Sequence, residues 1–126
     1  MSGTSVDAID AALVAINDTS LQLRHFTSTP LDESLKQTLL ACNQTQHIGL
    51  HELCRMQADL GKAFAQSVQQ LLQESGYRAQ QISAIGSHGQ TIFHAPDAQM
   101  SLQIGHPAII AKQTGITTTA DFRIDD

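Results

Sequence analysis

Residues 8–16 set Ile9, Ala11, Leu13 and Ala15 in alternation with Asp10, Ala12 and Val14. This is the period-two pattern of a strand buried on at least one face. Asn17, Asp18, Thr19 and Ser20 are turn formers. Leu21, Leu23, His25 and Thr27 then alternate with Gln22, Arg24 and Phe26, so the two segments read as an antiparallel hairpin with a short loop. Pro30 closes the second strand, and Asp32 is placed to cap a helix over residues 33–42 with Leu35, Leu39 and Leu40 on one face. A longer helix is predicted over residues 49–75. There Leu50, Leu53, Leu60, Phe64, Val68, Leu71 and Leu72 form one stripe, with Gly76 where a left-handed C-terminal cap belongs.

The second half is built from shorter units. Residues 82–86 form an apolar strand that runs into Ser87-His88-Gly89-Gln90-Thr91, and Ile92 and Phe93 begin another strand. His94-Ala95-Pro96-Asp97 is a turn, and residues 101–104 are a strand. Pro107 suits the first turn of a helix over 107–114 closed by Gly115. Residues 116–120, with three threonines, favour a strand. The order predicts an α/β fold: a mixed sheet with an antiparallel edge pair, parallel inner strands and flanking helices. Met1 precedes a turn-like Ser2-Gly3-Thr4-Ser5 at once, and the chain stops just after a strand-like segment. Residues 1–126 are therefore expected to be one partial domain, with sequence missing on both sides.

Composition narrows the function. The net charge is −5, the seven Lys and Arg residues are scattered, and Trp is absent. Neither a phosphate-backbone face nor a base-stacking platform for nucleic acid is expected. No apolar run approaches the roughly 20 residues of a membrane span, and no signal-like segment opens the chain. A soluble, cytoplasmic protein is expected. Cys42 and Cys54 are too few and too far apart for a zinc site, and read as reduced thiols packed on helices.

Three segments have the residue types for chemistry. In Gly3-Thr4-Ser5-Val6-Asp7-Ala8-Ile9-Asp10, the glycine allows close backbone approach and the hydroxyls add donors, so the turn can cradle phosphate oxygens. Asp7 and Asp10 can hold Mg²⁺ directly or through water. The same composition also describes an ordinary hairpin turn. In Ser87-His88-Gly89-Gln90-Thr91, small and polar residues meet at a strand end, where ligands bind in α/β sheets; a turn satisfying its own backbone reads equally well. Arg123, after the last strand, can fork onto a carboxylate or phosphate, or pair on the surface with Asp121, Asp125 or Asp126. A metal site from His88 and His94 lacks further ligands at fixed spacing. His25, His47, His51 and His106 read as surface or boundary residues.

Together, residues 1–10, Ile85-Gly86-Ser87-His88-Gly89-Gln90-Thr91, Gln103-Ile104-Gly105, and Thr114-Gly115-Ile116 leading to Asp121-Phe122-Arg123 resemble the anhydro-N-acetylmuramic acid kinase family, in this order and across essentially the whole chain. The resemblance implies the N-terminal lobe of a two-lobe kinase of the sugar kinase, hsp70 and actin superfamily, with a ribonuclease-H-like sheet. It implies conversion of 1,6-anhydro-N-acetylmuramic acid, ATP and water to N-acetylmuramic acid 6-phosphate and ADP in peptidoglycan recycling, with Mg²⁺ and a homodimeric assembly. On this reading Gly3, Thr4, Ser5, Val6, Asp7, Ala8, Ile9 and Asp10 hold the ATP phosphates. Ser87, His88, Gly89, Gln90, Thr91 and Arg123 face the sugar, with Arg123 aimed at its anionic lactyl group. The family's catalytic base, an Asp in an Asp-Thr-Gly-Pro-Gly-like segment, has no counterpart here, so no Asp of this chain takes that role and the 126 residues alone are expected to be inactive. Ala8 stands where the family usually has Gly and His106 where Asp is common; Ala8 is strained by about 1 kcal/mol if that position needs φ > 0. Two other readings stay open: a noncatalytic ribonuclease-H-like interaction module, and a different kinase or acetate-type phosphotransferase of the same superfamily.

Overall fold

The structure, a computed structural model, describes residues 6–123. Strand β1 (Ala8–Ile16) and strand β2 (Leu21–Pro30) form the expected antiparallel hairpin. Asn17 builds its loop: the side-chain Oδ1 accepts from the backbone N–H groups of Thr19 and Ser20 at 3.0 and 2.9 Å, an Asx-type turn. A bulge between Leu13 and Val14 shifts the register. Ile9, Ala11 and Leu13 stand opposite Thr29, Thr27 and His25, and this face packs on the long helix described next.

Helix α1 (Glu33–Thr45) starts where expected, with Asp32 accepting from Leu35 N–H at 3.1 Å. It runs three residues past the predicted end and closes on a left-handed Gln46. Helix α2 (Leu50–Ser75) ends on Gly76 at φ 75°. Leu60, Phe64 and Leu71 of its stripe are buried, whereas Leu50 in the first turn is 80% exposed. The α2 helix is the spine of the molecule. Thr29 bonds Ser67, Gln70 bonds Thr27, and His25 meets Glu74 at 3.0 Å, which docks the hairpin on its last turns. The core gathers Val6, Ile9, Leu31, Leu39, Met56, Leu60, Phe64, Ile92, Ile104 and Ile110.

In the second half, strands β3 (Ile85–Gly86) and β6 (Thr118–Thr119) form a parallel ladder, and β4 (Gln90–Ala95) and β5 (Met100–Ile104) an antiparallel one. Helix α3 (Pro107–Thr114) lies between β5 and β6 with Gly115 as its left-handed cap. The strands expected over 82–86 and 116–120 shorten to two residues each. The Ala79–Gln81 segment turns in a 3-10 coil, and β3 and β6 have only each other as ladder partners among the described residues. Parallel and antiparallel pairing are thus both present with flanking helices, spread over three two-stranded ladders. Of the two thiols, Cys42 is buried as expected, but Cys54 is exposed, so the packed environment expected for both holds for one.

The β1–β2 pair and the β3–β6 pair face each other across a groove of about 910 Å³. Consecutive residues 9–16 line one wall and consecutive residues 81–89 the other. Because neighbouring side chains of a strand point to opposite faces, a wall made of every residue in turn is the edge of β1. Phe64, Val68 and Leu71 of α2 form the floor, with Ile110 and Ile116.

Candidate functional site

The parallel pairing of β3 and β6 brings two of the motif segments together. Ile85 N–H donates to Thr117 O and Ser87 N–H to Thr119 O, both at 2.8 Å. Both strands therefore leave the ladder at the same end, and the chains that follow, 87–91 and 120–123, emerge side by side. Strand C-termini in α/β folds are where ligands are held. Asp121 adopts a left-handed backbone, φ 60°, a conformation Asp tolerates better than most residues. The turn there carries Arg123 back so that its Nη1 lies 3.2 Å from His88 Nε2. Phe122 meets the His88 ring edge-on, with centroids 6.3 Å apart.

Within 87–91 the residues divide. Ser87, His88 and Gly89 line the groove, together with Ile9 and Asp10 of β1. Gly89 has φ 71°, and a Cβ there would lie 2.9 Å from the Ile104 carbonyl oxygen, so glycine is required for β4 to approach β5. Gln90 is buried at 1% exposure. Its Nε2 donates to Thr91 O at 3.1 Å, while Oε1 has no protein partner, a costly omission for a buried group. Thr91 Oγ1 accepts from Gln103 Nε2 at 3.2 Å. His94, the other half of the considered histidine pair, bonds Ser101 at 2.7 Å. No cluster of three His, Cys, Asp or Glu suited to a metal occurs among the described residues.

Of the proposed phosphate turn, Gly3, Thr4 and Ser5 lie outside the described residues. Val6 is fully buried at φ 55°, an uncommon backbone for a β-branched residue. Leu31 N–H donates to Asp7 O at 3.2 Å and ties the turn to the end of β2. The Asp7 carboxylate accepts from Lys36 Nζ at 2.6 Å. That hydrogen bond, and then the charge of Asp7, hold the ammonium of Lys36 above its ordinary pKa. Asp10 Oδ1 accepts from Ser28 Oγ at 2.7 Å. Ala8 sits in β1 and is not among the positive-φ residues. The strain considered for Ala8 falls instead on Val6, two residues earlier. His106 caps α3, its Nδ1 accepting from Ala108 N–H at 3.2 Å.

Two further residues shape this end of the molecule without having been singled out in the sequence. Gln57 Oε1 accepts from Gly105 N–H at 2.8 Å and its carbonyl accepts from His106 N–H at 3.0 Å, clamping the link between β5 and α3 to α2. Its signal was present: Gln57 is the polar member of an otherwise apolar series Leu53, Leu60 and Phe64 at helical spacing. Lys36 offered none, since it lies 29 residues from Asp7.

A family model described as anhydro-N-acetylmuramic acid kinase matches residues 1–126. The anhydro-N-acetylmuramic acid kinase of Hydrogenovibrio crunogenus is 58% identical over 126 residues, covering 100% of this chain and 34% of the relative. That of Vibrio cholerae is 48% identical over 128 residues, covering 100% and 35%. That of Caldanaerobacter subterraneus is 39% identical over 138 residues, again covering 100% and 35%. The chain thus spans about a third of the length of the curated relatives it matches.

Proposed function

Because the chain belongs to the anhydro-N-acetylmuramic acid kinase family, we propose that it supplies one wall of the ATP site and part of the sugar site of such a kinase. The reaction converts 1,6-anhydro-N-acetylmuramic acid, ATP and water to N-acetylmuramic acid 6-phosphate and ADP, in the cytoplasm. Water adds at the anomeric carbon as the 1,6-anhydro bridge opens, and the released O6 takes the γ-phosphoryl group. The base for the water lies in a part of the full-length protein outside these 126 residues. Positioning and electrostatics dominate such a transfer.

The residues of this chain have distinct parts. The assignment of the phosphates goes to residues 3–10, where the left-handed Val6, just ahead of β1, gives the kind of curved backbone that gathers N–H groups. Mg²⁺ is typically held by one or two carboxylates plus substrate phosphates, and Asp7 and Asp10 are carboxylates of that type; when bound, the ion neutralises charge developing on the phosphates. Arg123 binds the lactyl carboxylate of the sugar, and Ser87 and His88 border the same pocket. The observation that carries this reading is the 3.2 Å approach of Arg123 to His88 across 35 residues of sequence, at the end where β3 and β6 leave their parallel ladder side by side. We further propose that residues 1–126 are one part of a larger lobe, and that additional backbone of the full-length protein fills the groove between β1 and β3.

The test uses the full-length protein and a coupled ADP-release assay. A charge-assisted hydrogen bond is worth about 1.5–3 kcal/mol, so Arg123→Ala is expected to raise the KM for the anhydro sugar by about ten- to a hundredfold and leave the KM for ATP in place. An unaltered sugar KM would rule out the assignment of Arg123.

A further inference from the structure

His88 lies between two partners of fixed character. Its Nδ1 is 3.0 Å from the Gly89 carbonyl oxygen, and its Nε2 is 3.2 Å from Arg123 Nη1. A carbonyl oxygen only accepts, so Nδ1 carries the hydrogen. A guanidinium only donates and keeps its proton at any working pH, so Nε2 is the bare, accepting nitrogen. One tautomer satisfies both contacts, the neutral Nδ1–H form; the bond at one ring nitrogen sets the state of the other. A hydrogen on Nε2 would place two donors face to face.

The segment that carries His88 is held by backbone on both sides of the ring. Ser87 N–H is tied to Thr119 O, and Gly89 is fixed by its left-handed φ and its close approach to Ile104. The ring therefore stands on the end of the parallel ladder, with Phe122 against it. Arg123 follows a turn of irregular backbone after β6, so its long side chain gains direction from the ring. We infer that His88 is a positioning residue for Arg123: as the neutral Nδ1–H tautomer it offers Nε2 as the acceptor that aims the guanidinium into the sugar pocket. This assigns to His88 a role different from direct contact with the sugar. It rests on the reading that Arg123 binds the sugar carboxylate.

The experiment compares four variants of the full-length protein, each checked for an unchanged melting temperature. His88→Phe keeps a ring for Phe122 to pack on and removes the acceptor. His88→Gln places a carbonyl oxygen near the position of Nε2. His88→Phe is expected to raise the sugar KM by about ten- to a hundredfold, the range for a lost hydrogen bond to a charged group, with kcat and the ATP KM unmoved. His88→Gln should restore the sugar KM to within about twofold of the parent, and His88→Phe in an Arg123→Ala background should add nothing, as expected for residues acting as one unit. Equal sugar KM values for His88→Phe and His88→Gln, a fall in kcat with His88→Phe, or additive effects in the double variant would each overturn the inference. The two readings fail separately. A normal sugar KM for Arg123→Ala removes the assignment of Arg123 itself, whereas a raised KM there with a normal one for His88→Phe removes only the role of His88. If His88→Phe melts lower than the parent, His88→Leu takes its place in the same comparison and is judged by the same outcomes.

Discussion

Gly105 joins β5 to α3, and its replacement by alanine gives a stability change that can be built from two separate terms. Its backbone has φ 113°, and an added Cβ would lie 2.3 Å from Cε2 and 2.8 Å from Cδ2 of Phe64. Phe64 is buried in the core against α2 neighbours and cannot swing away without opening a void. The backbone term is about 1–2 kcal/mol for an L-residue at positive φ, and overpacking adds about 1–3 kcal/mol. The sum is about 2–5 kcal/mol. With an unfolding entropy of about 2.1 cal/mol/K per residue, 126 residues lose about 4 °C of melting temperature per kcal/mol. Gly105→Ala should therefore melt about 8–20 °C below the parent by calorimetry or dye fluorescence. Gly115→Ala is the control: φ is 71° but nothing lies within 4 Å of the new Cβ, so only the backbone term of about 1–2 kcal/mol, about 4–8 °C, applies. Phe64→Leu should recover part of the Gly105→Ala loss in the double variant, because the ring atoms that clash are gone. If Gly105→Ala and Gly115→Ala melt together, the contact with Phe64 does not govern this site.

Three other measurements bear on different elements. The Glu74 carboxyl is held below its ordinary value of 4.5, first by the hydrogen bond from Gln70 and then by His25. A depressed folded pKa stabilises above the unfolded value and is lost as pH falls through the folded one, so Glu74→Gln should flatten the drop in melting temperature between about pH 5 and pH 3; parallel acid limbs would refute this. Cys54 is exposed and Cys42 buried, and burial, then Glu52, pushes the Cys42 thiol up. Ellman's reagent should thus react in two phases, the fast one lost in Cys54→Ser; a single phase of two equivalents would contradict it. Asp32→Ala removes the cap of α1 at a cost of about 1 kcal/mol, while Asp32→Ser should retain most of it; equal melting of the two would remove the cap from the account.

Local rules read the helices well, because their signals are local. Asp32, Gly76, Pro107 and Gly115 mark ends that the structure keeps. The α1 end moved because Gln46, with no glycine to announce it, takes the left-handed cap. The two shortest strands were overestimated because a strand's length depends on its partners, and β3 and β6 have one each. The site was legible as three segments and not as contacts. Sequence spacing pointed to 87–91 and Arg123 separately, whereas the 3.2 Å approach of Arg123 to His88 depends on parallel pairing between segments some thirty residues apart. The inward turn of Gln90 and the salt bridge of Asp7 with Lys36 likewise arise from tertiary placement that no residue type announces.

The open edge of β1 has a consequence for the life of the isolated chain. From Ala11 to Ile16 the strand holds six residues without a charge or a proline, and it pairs on one side alone among the described residues. Val14, Ile16, Leu21, Leu23 and Phe26 are exposed beside it. Natural edge strands are guarded by lysines, prolines or covering elements, and a window of this length and composition, left bare, is the kind that seeds β-aggregates. A cell or a purification that releases these 126 residues on their own therefore handles a species whose loss is set by concentration. Its yield depends on dilution and chaperone supply as much as on the depth of its folding well.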